Sequence, residues 1–294
     1  MAPGVVGGIG LFRQLQFLLY GICYHLCVNH DSHLLDGCCC YSSKEVKSSS
    51  AIAQEREDAK KGWEQYIAEK NRERDKQERI LKEVSLYPDE SETGIGKYLF
   101  VDTETTGIPK DYDGDVYDVD NWPRVVQLAW MLVDEDGKLV SDDCSIVKNK
   151  GVVPKRAEEV HGISTERMRA EGVPPKDAYK KLMDAIACAE YVIIHNVDFD
   201  KPVIAADMLR HKMNDLAEKF LSQSFFCTMK SGVDICRLPG YHGEYKYPKL
   251  VELFGKLYLD DSSVSIGGLH SADADVLVTY RCFMKMKEKG YAKI

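Results

Sequence analysis

A chain of 294 residues, 44% of them hydrophobic, is long enough for one large domain or two small ones and for an ordinary buried core. Its formal charge of −8 excludes a protein that coats long nucleic acid, because such binding draws on many Lys and Arg neutralising phosphates. A nucleic-acid substrate would be gripped over a short stretch only, with bound cations supplying positive charge.

The chain opens on an apolar run (Leu15, Phe17, Leu18, Leu19, Ile22, Leu26) broken by Arg13, Gln14, Gln16 and His25, too short and too polar for a membrane span. It lacks the basic start and small-residue cleavage site of a secretory signal, so neither a membrane nor export is expected. His25, Cys27, His30, His33, Cys38, Cys39 and Cys40 are metal-ligand residue types, but without the paired Cys spacing of a zinc site. The other cysteines, Cys144, Cys188, Cys227, Cys236 and Cys282, are scattered. That pattern is no disulfide framework, and it fits small buried hydrophobes in a reducing, cytoplasmic setting. Residues 1–50 are expected to be a poorly ordered leader.

From Ala51 to about Val84 the sequence is dense in Glu, Lys, Arg and Gln at i,i+4 spacing, the pattern of an exposed helix. Trp63 and Ile67 make a short apolar stripe, but nothing apolar falls between Ala68 and Ile80, so a sustained heptad seam is absent. Residues 51–94 therefore read as a solvated helix and linker. Pro88 and the Gly94 to Gly96 stretch mark a boundary, and residues 95–294 read as a separate domain.

Within that domain Tyr98 to Asp102, Arg124 to Val133 and Lys138 to Lys148 read as strands, the last two closed into a hairpin by Asp134 to Gly137. Helical patterns follow at Lys155 to Val160 and Pro175 to Ala189, then a strand at Tyr191 to Ile194 and a helix at Lys201 to Met213. A short fifth strand at Phe225 to Thr228 precedes helices at Pro248 to Tyr258 and Ala272 to Glu288. This order predicts an α/β domain, a mixed five-stranded sheet with helices on both faces.

The sharpest local signal is Phe100-Val101-Asp102-Thr103-Glu104-Thr105-Thr106-Gly107, an apolar strand ending in two carboxylates two residues apart. Period-two geometry sends both to one face, where they repel unless a hard cation such as Mg²⁺ or Mn²⁺ sits between them. A further acid follows the fourth strand in His195-Asn196-Val197-Asp198-Phe199-Asp200, where Asp200 is expected to open a helix and could equally serve as its cap. The third piece, His270-Ser271-Ala272-Asp273-Ala274-Asp275, runs from a Gly267-Gly268 loop into the last helix.

In that order and at those intervals, Asp-x-Glu-Thr-Thr-Gly, His-Asn-x-x-Phe-Asp and His-x-x-x-x-Asp resemble the motifs of the DnaQ-like DEDDh exonucleases. Val160-His161-Gly162-Ile163 resembles a further stretch of the same family. The resemblance implies an RNase H-like fold and release of mononucleotides from single-stranded 3′ ends of DNA, with RNA ends as the alternative. It also implies two divalent ions, Mg²⁺ or Mn²⁺, on Asp102, Glu104, Asp200 and Asp275, and His270 as general base. Thr105, Thr106, Gly107, His161 and Phe199 are then expected around the terminal nucleotide, although structural roles for His161 and His195 stand equally open. Asp198 and Asp273 fall outside the motif spacing.

An acidic insert, Asp111 to Trp122, lacks the Gly and terminal acid of a calcium loop and reads as a solvated hairpin. Cys227 stands where proofreading relatives tend to carry an acid before the Thr, and no clamp-binding motif is present, so nothing ties the chain to a polymerase. Nor does the sequence fix an oligomeric state. A catalytically silent binding module is the competing class, against which the complete acid set counts.

Overall fold

The computed structural model describes residues 48–264 and 271–294; the readings for residues 1–47 and for His270 lie outside them. The chain divides into two units, Met1–Lys61 and Gly62–Ile294. Helix α1 (Ser49–Ser85) begins in the first unit, where its described side chains are exposed. Within the second unit it carries exposed Trp63, Tyr66 and Ile67.

The helix is less solvated than its composition predicts. Ile80 is 1% exposed and packs with Leu253, Phe254, Val278 and Cys282, while Lys76 pairs with Asp261. The apolar residues at the end of the charged run are too few to establish a period, yet Ile80 among them docks this end of α1. Arg281 then donates to the Leu86 carbonyl (2.5 Å), and Asp89 to Ser91 hydrogen-bond along Leu139.

The sheet contains β1 (Tyr98–Thr105), β2 (Val125–Val133), β3 (Leu139–Ile146), β4 (Tyr191–Ile194) and β5 (Phe225–Cys227) in the order β3-β2-β1-β4-β5. The pairs β1–β2 and β2–β3 are antiparallel and β1–β4 and β4–β5 parallel, so the expected mixed sheet is present. Alternation along β1 divides the core. Leu99 and Val101 face a cluster formed with α4 (Pro175–Ile186) and α5 (Val197–Arg210), whereas Tyr98 and Phe100 face α10 (Ala272–Glu288) through Val276, Tyr280 and Phe283. Every residue of β2 is buried, as a strand covered on both faces requires.

The remaining helices are α2 (Lys155–His161), α3 (Thr165–Glu171), α6 (Asn214–Leu221), α7 (Thr228–Ser231), α8 (Val233–Cys236) and α9 (Leu250–Leu259). Of these α3, α6, α7 and α8 escape the sequence reading, since none exceeds 8 residues and so short a span barely establishes a period. The start of α5 is corrected too. It begins at Val197, four residues before the expected Lys201, and continues through Pro202, which leaves the Asp198 carbonyl without its helical donor.

The acidic insert is a run of turns rather than a hairpin. Its ends are joined by Lys110 N–H to Asn121 O (3.0 Å) and by the Asn121 amide, and Arg210 donates to the Trp122 carbonyl (2.9 Å). No helix among the described residues is long and apolar enough to cross a membrane.

Truncating Ile80 removes a fully buried side chain. Ile80→Ala is expected to lower stability by about 2 to 4 kcal/mol in urea unfolding, whereas Ile67→Ala, on the exposed part of the helix, shifts it by less than about 0.5 kcal/mol.

Candidate active site

Strand β1 outruns its neighbour. Pairing with β4 covers Tyr98 to Phe100, while pairing with β2 continues to Thr105, with a register shift between Glu104 and Thr105. The carboxyl end of β1 therefore borders a crevice, at the place where the sheet passes from antiparallel to parallel neighbours.

Asp102 and Glu104 continue the face of Tyr98 and Phe100, the side covered by α10. Asp275 lies in the first turn of that helix, and one carboxylate oxygen from each of the three falls within 4.8 Å of the others. Thr103 points to the opposite face and donates its hydroxyl to Asp200 Oδ1 (2.7 Å) from the start of α5. Four sequence-distant acids thus meet at one strand end, three at close quarters and Asp200 buried beside them. Asp198 and Asp273 are exposed, Asp198 paired with Lys230 (2.7 Å).

The electrostatics are those of a site short of positive charge. Burial, then the charges of Asp200, Asp275 and Glu104, holds the Asp102 carboxyl well above the usual range. Burial followed by Asp275 and Asp200 pushes Glu104 up to about 8. Asp200 rises to about 7, chiefly through burial and against the pull of Thr103, and Asp275 to about 6 through burial and the neighbouring Asp273.

Two polar side chains unremarked in the sequence hold these acids. Thr103 is one. The other is Gln127, the lone polar residue in the apolar run of β2, which sits opposite Glu104 and accepts the Ala272 N–H (3.1 Å) at the start of α10. A helix N-terminus leaves such donors unpaired, so Gln127 stabilises the turn that carries Asp275. A glutamine inside an apolar strand was the available signal.

Beside the acids lies a cavity of about 420 Å³ lined by all five residues expected around a nucleotide: Thr105, Thr106, Gly107, His161 and Phe199. Thr106 is fixed by accepting the Arg124 N–H (3.0 Å), and Gly107 has φ +149, a conformation side chains rarely tolerate. Gly162 ends α2 in the left-handed conformation with its N–H on the Glu158 carbonyl (2.7 Å). That turn directs His161 into the cavity wall. Its Nδ1 accepts the Ile163 N–H (3.1 Å), so the neutral ring carries its proton on Nε2, which is buried and has no hydrogen-bond partner. Burial lowers the His161 pKa; the Thr105 carbonyl opposes the shift without reaching hydrogen-bond geometry.

His195 belongs elsewhere. Its Nε2 faces the Pro248 carbonyl (3.2 Å), which can only accept, so Nδ1 takes the Thr228 hydroxyl proton (3.0 Å). Burial drives this ring's pKa down to about 4. His195 is a neutral brace joining the end of β4 to α7 and the approach to α9.

A family model described as exonuclease matches residues 99–283. Among solved structures, E. coli exonuclease I in complex with a dA16 oligonucleotide is similar at 17% identity and TM-score 0.50, over 65% of this chain and 40% of that one. The zinc ion-bound form of the E. coli exonuclease I–ssDNA complex is similar at 16% identity and TM-score 0.49, with the same coverage. The chain thus spans about two fifths of the length of those proteins. A search of curated protein sequences gives no match.

Carboxyls whose pKa is raised on folding bind protons that the unfolded chain has already lost, so the metal-free protein loses stability as pH rises from the ordinary carboxylate range to about 8. Melting curves should fall accordingly. At pH 8, Asp102→Asn should raise the metal-free melting temperature by a few degrees, and Mg²⁺ or Mn²⁺ should stabilise the wild type but not that variant.

Proposed function

This chain belongs to the RNase T family of exonucleases, and we propose that it releases nucleoside monophosphates from single-stranded 3′ ends, DNA in preference to RNA, with divalent cations and a histidine general base. The observation that carries this reading is the meeting of Asp102, Glu104 and Asp275 oxygens within 4.8 Å, from a strand and a helix far apart in sequence. Residues 95–294 would form the nuclease domain and residues 51–94 a charged helix and linker.

The donor set fits the cations. All its ligand atoms are hard carboxylate oxygens, the preference of Mg²⁺ and Mn²⁺, and their raised pKa values mark a cluster that a positive charge would relieve. Asp102, Glu104, Asp200 and Asp275 would hold two ions. Bound there, the ions supply Lewis acidity toward the attacking water and neutralise charge on the phosphodiester oxygens.

The chain's own residues do the rest. His270, placed by its motif five residues before Asp275, takes the proton of the water. An imidazole with an ordinary pKa of about 6.5 is matched to that task near neutral pH. The terminal nucleotide enters the cavity, its base beside Phe199 and its sugar against the backbone of Thr105 to Gly107. His161 donates its unpaired Nε2–H to a sugar or phosphate oxygen. Support for a single-stranded end comes from the dA16 oligonucleotide bound to E. coli exonuclease I, and for the 3′ polarity from the three-motif resemblance.

The test is nucleotide release from matched end-labelled single-stranded DNA and RNA oligomers with Mg²⁺ or Mn²⁺. Mononucleotides should leave the 3′ end of DNA faster than of RNA, only with metal, and not at all with Asp102→Ala. His270→Ala should slow release by about 10²- to 10⁴-fold, and the wild-type rate should fall as pH drops below about 6.5. If the wild type cuts neither polymer with either metal, the assignment fails. His161→Ala should act mainly through KM, because the donor it removes serves binding.

A further inference from the structure

The segment from Arg237 to Lys249, between α8 and α9, is unlike the rest of this acidic chain. It reads Arg237-Leu238-Pro239-Gly240-Tyr241-His242-Gly243-Glu244-Tyr245-Lys246-Tyr247-Pro248-Lys249, three tyrosines in seven residues interleaved with cations. The segment is built as a small hairpin. Lys246 N–H bonds the Leu238 carbonyl (3.0 Å), Gly240 N–H bonds the Glu244 carbonyl (2.8 Å), and His242 and Gly243 turn the tip at positive φ.

Its aromatic surface faces water: Tyr241 is 92% exposed, Tyr245 49% and Tyr247 59%. None of the three makes a ring contact or a hydroxyl hydrogen bond among the described residues. Tyr245 and Tyr247 lie two residues apart on the returning arm of the hairpin. The cations Lys230, Arg237, Lys246 and Lys249 are balanced by Asp198, Asp234, Glu244 and Glu252, with Lys230 paired to Asp198 (2.7 Å) and Lys246 to Glu252 (2.6 Å), so the aromatic rings rather than a charge excess distinguish this surface.

The hairpin is also joined to the start of α5, the helix that carries Asp200: the Pro248 carbonyl is held by His195, and Lys230, near Tyr247, pairs with Asp198 (2.7 Å) in the first turn. Building on the exonuclease reading, we propose that this hairpin is a second nucleic-acid contact: bases upstream of the 3′ terminus stack on Tyr241, Tyr245 and Tyr247 while Lys249 meets a phosphate. Aromatic faces accept any base, so the contact adds affinity for length rather than sequence.

The experiment uses the full chain with chelator, measuring fluorescence anisotropy of labelled dT and rU oligomers of about 12 nucleotides and of a dinucleotide. The triple variant Tyr241→Ala, Tyr245→Ala, Tyr247→Ala should bind the long oligomers about tenfold or more weakly and the dinucleotide as the wild type does. The corresponding triple Phe variant, which keeps the rings, should retain affinity within about twofold. With metal, cleavage of thymidine 5′-p-nitrophenyl phosphate should be unchanged in both. Unchanged long-oligomer binding by the Ala variant, equal losses on long and short ligands, or an equal loss in the Phe variant would each overturn the proposal, as would a wild type that binds no long oligomer. Ring-dependent binding without hydrolysis by any metal would leave the platform standing and sink the exonuclease reading, and hydrolysis with ring-independent binding would do the reverse.

Discussion

The structure is organised around a repulsion. Four carboxylates converge where β1 ends, in surroundings that hold all four carboxyls above their ordinary pKa. Left to itself such a group would separate, and here it is prevented from doing so by cores on both sides of β1. Leu99 and Val101 fix the strand against α4 and α5, Tyr98 and Phe100 fix it against α10, and the same alternation sends Asp102 and Glu104 toward Asp275. Hydrophobic burial therefore stabilises an electrostatically unfavourable arrangement, the exchange of stability for function expected at a working site.

Another buried acid shows what a relieved carboxylate looks like. Asp207, fully buried in α5, receives the Tyr179 hydroxyl (2.7 Å) and the Arg210 guanidinium, whose other nitrogen reaches the carbonyl of Trp122 (2.9 Å). That network fastens the acidic insert to the domain with its charges paired. Among the described residues the acids at the end of β1 have no cation beside them, only each other, Thr103 and backbone donors. The contrast within one helix is between Asp200, set among other carboxylates, and Asp207, paired with an arginine.

Three histidines lie near the three motifs, and their surroundings give two of them different work. His195 has both ring nitrogens engaged and is held neutral, so its motif position next to Asn196 reflects bracing. His161, in the cavity wall, is buried with Nδ1 engaged and Nε2 without a hydrogen-bond partner. Residue type alone does not distinguish them, because an imidazole takes its role from what its two nitrogens face.

What the sequence determined by itself was the sheet and the identity of its acids. An apolar strand ending in Asp102 and Glu104, the β2–β3 meander and the long terminal helix are local patterns, written in periods of two and 3.6 that survive without neighbours. Tertiary structure alone decided the rest. The docking of α1 depends on Ile80 finding Leu253 and Val278, the seating of Asp275 on Gln127 of a different strand reaching the Ala272 N–H, and the roles of His161 and His195 on partners 2 to 53 residues away. Apart from the local His161–Ile163 bond, these are contacts between elements distant in the chain, which leave no periodic trace because no repeat is needed to make them.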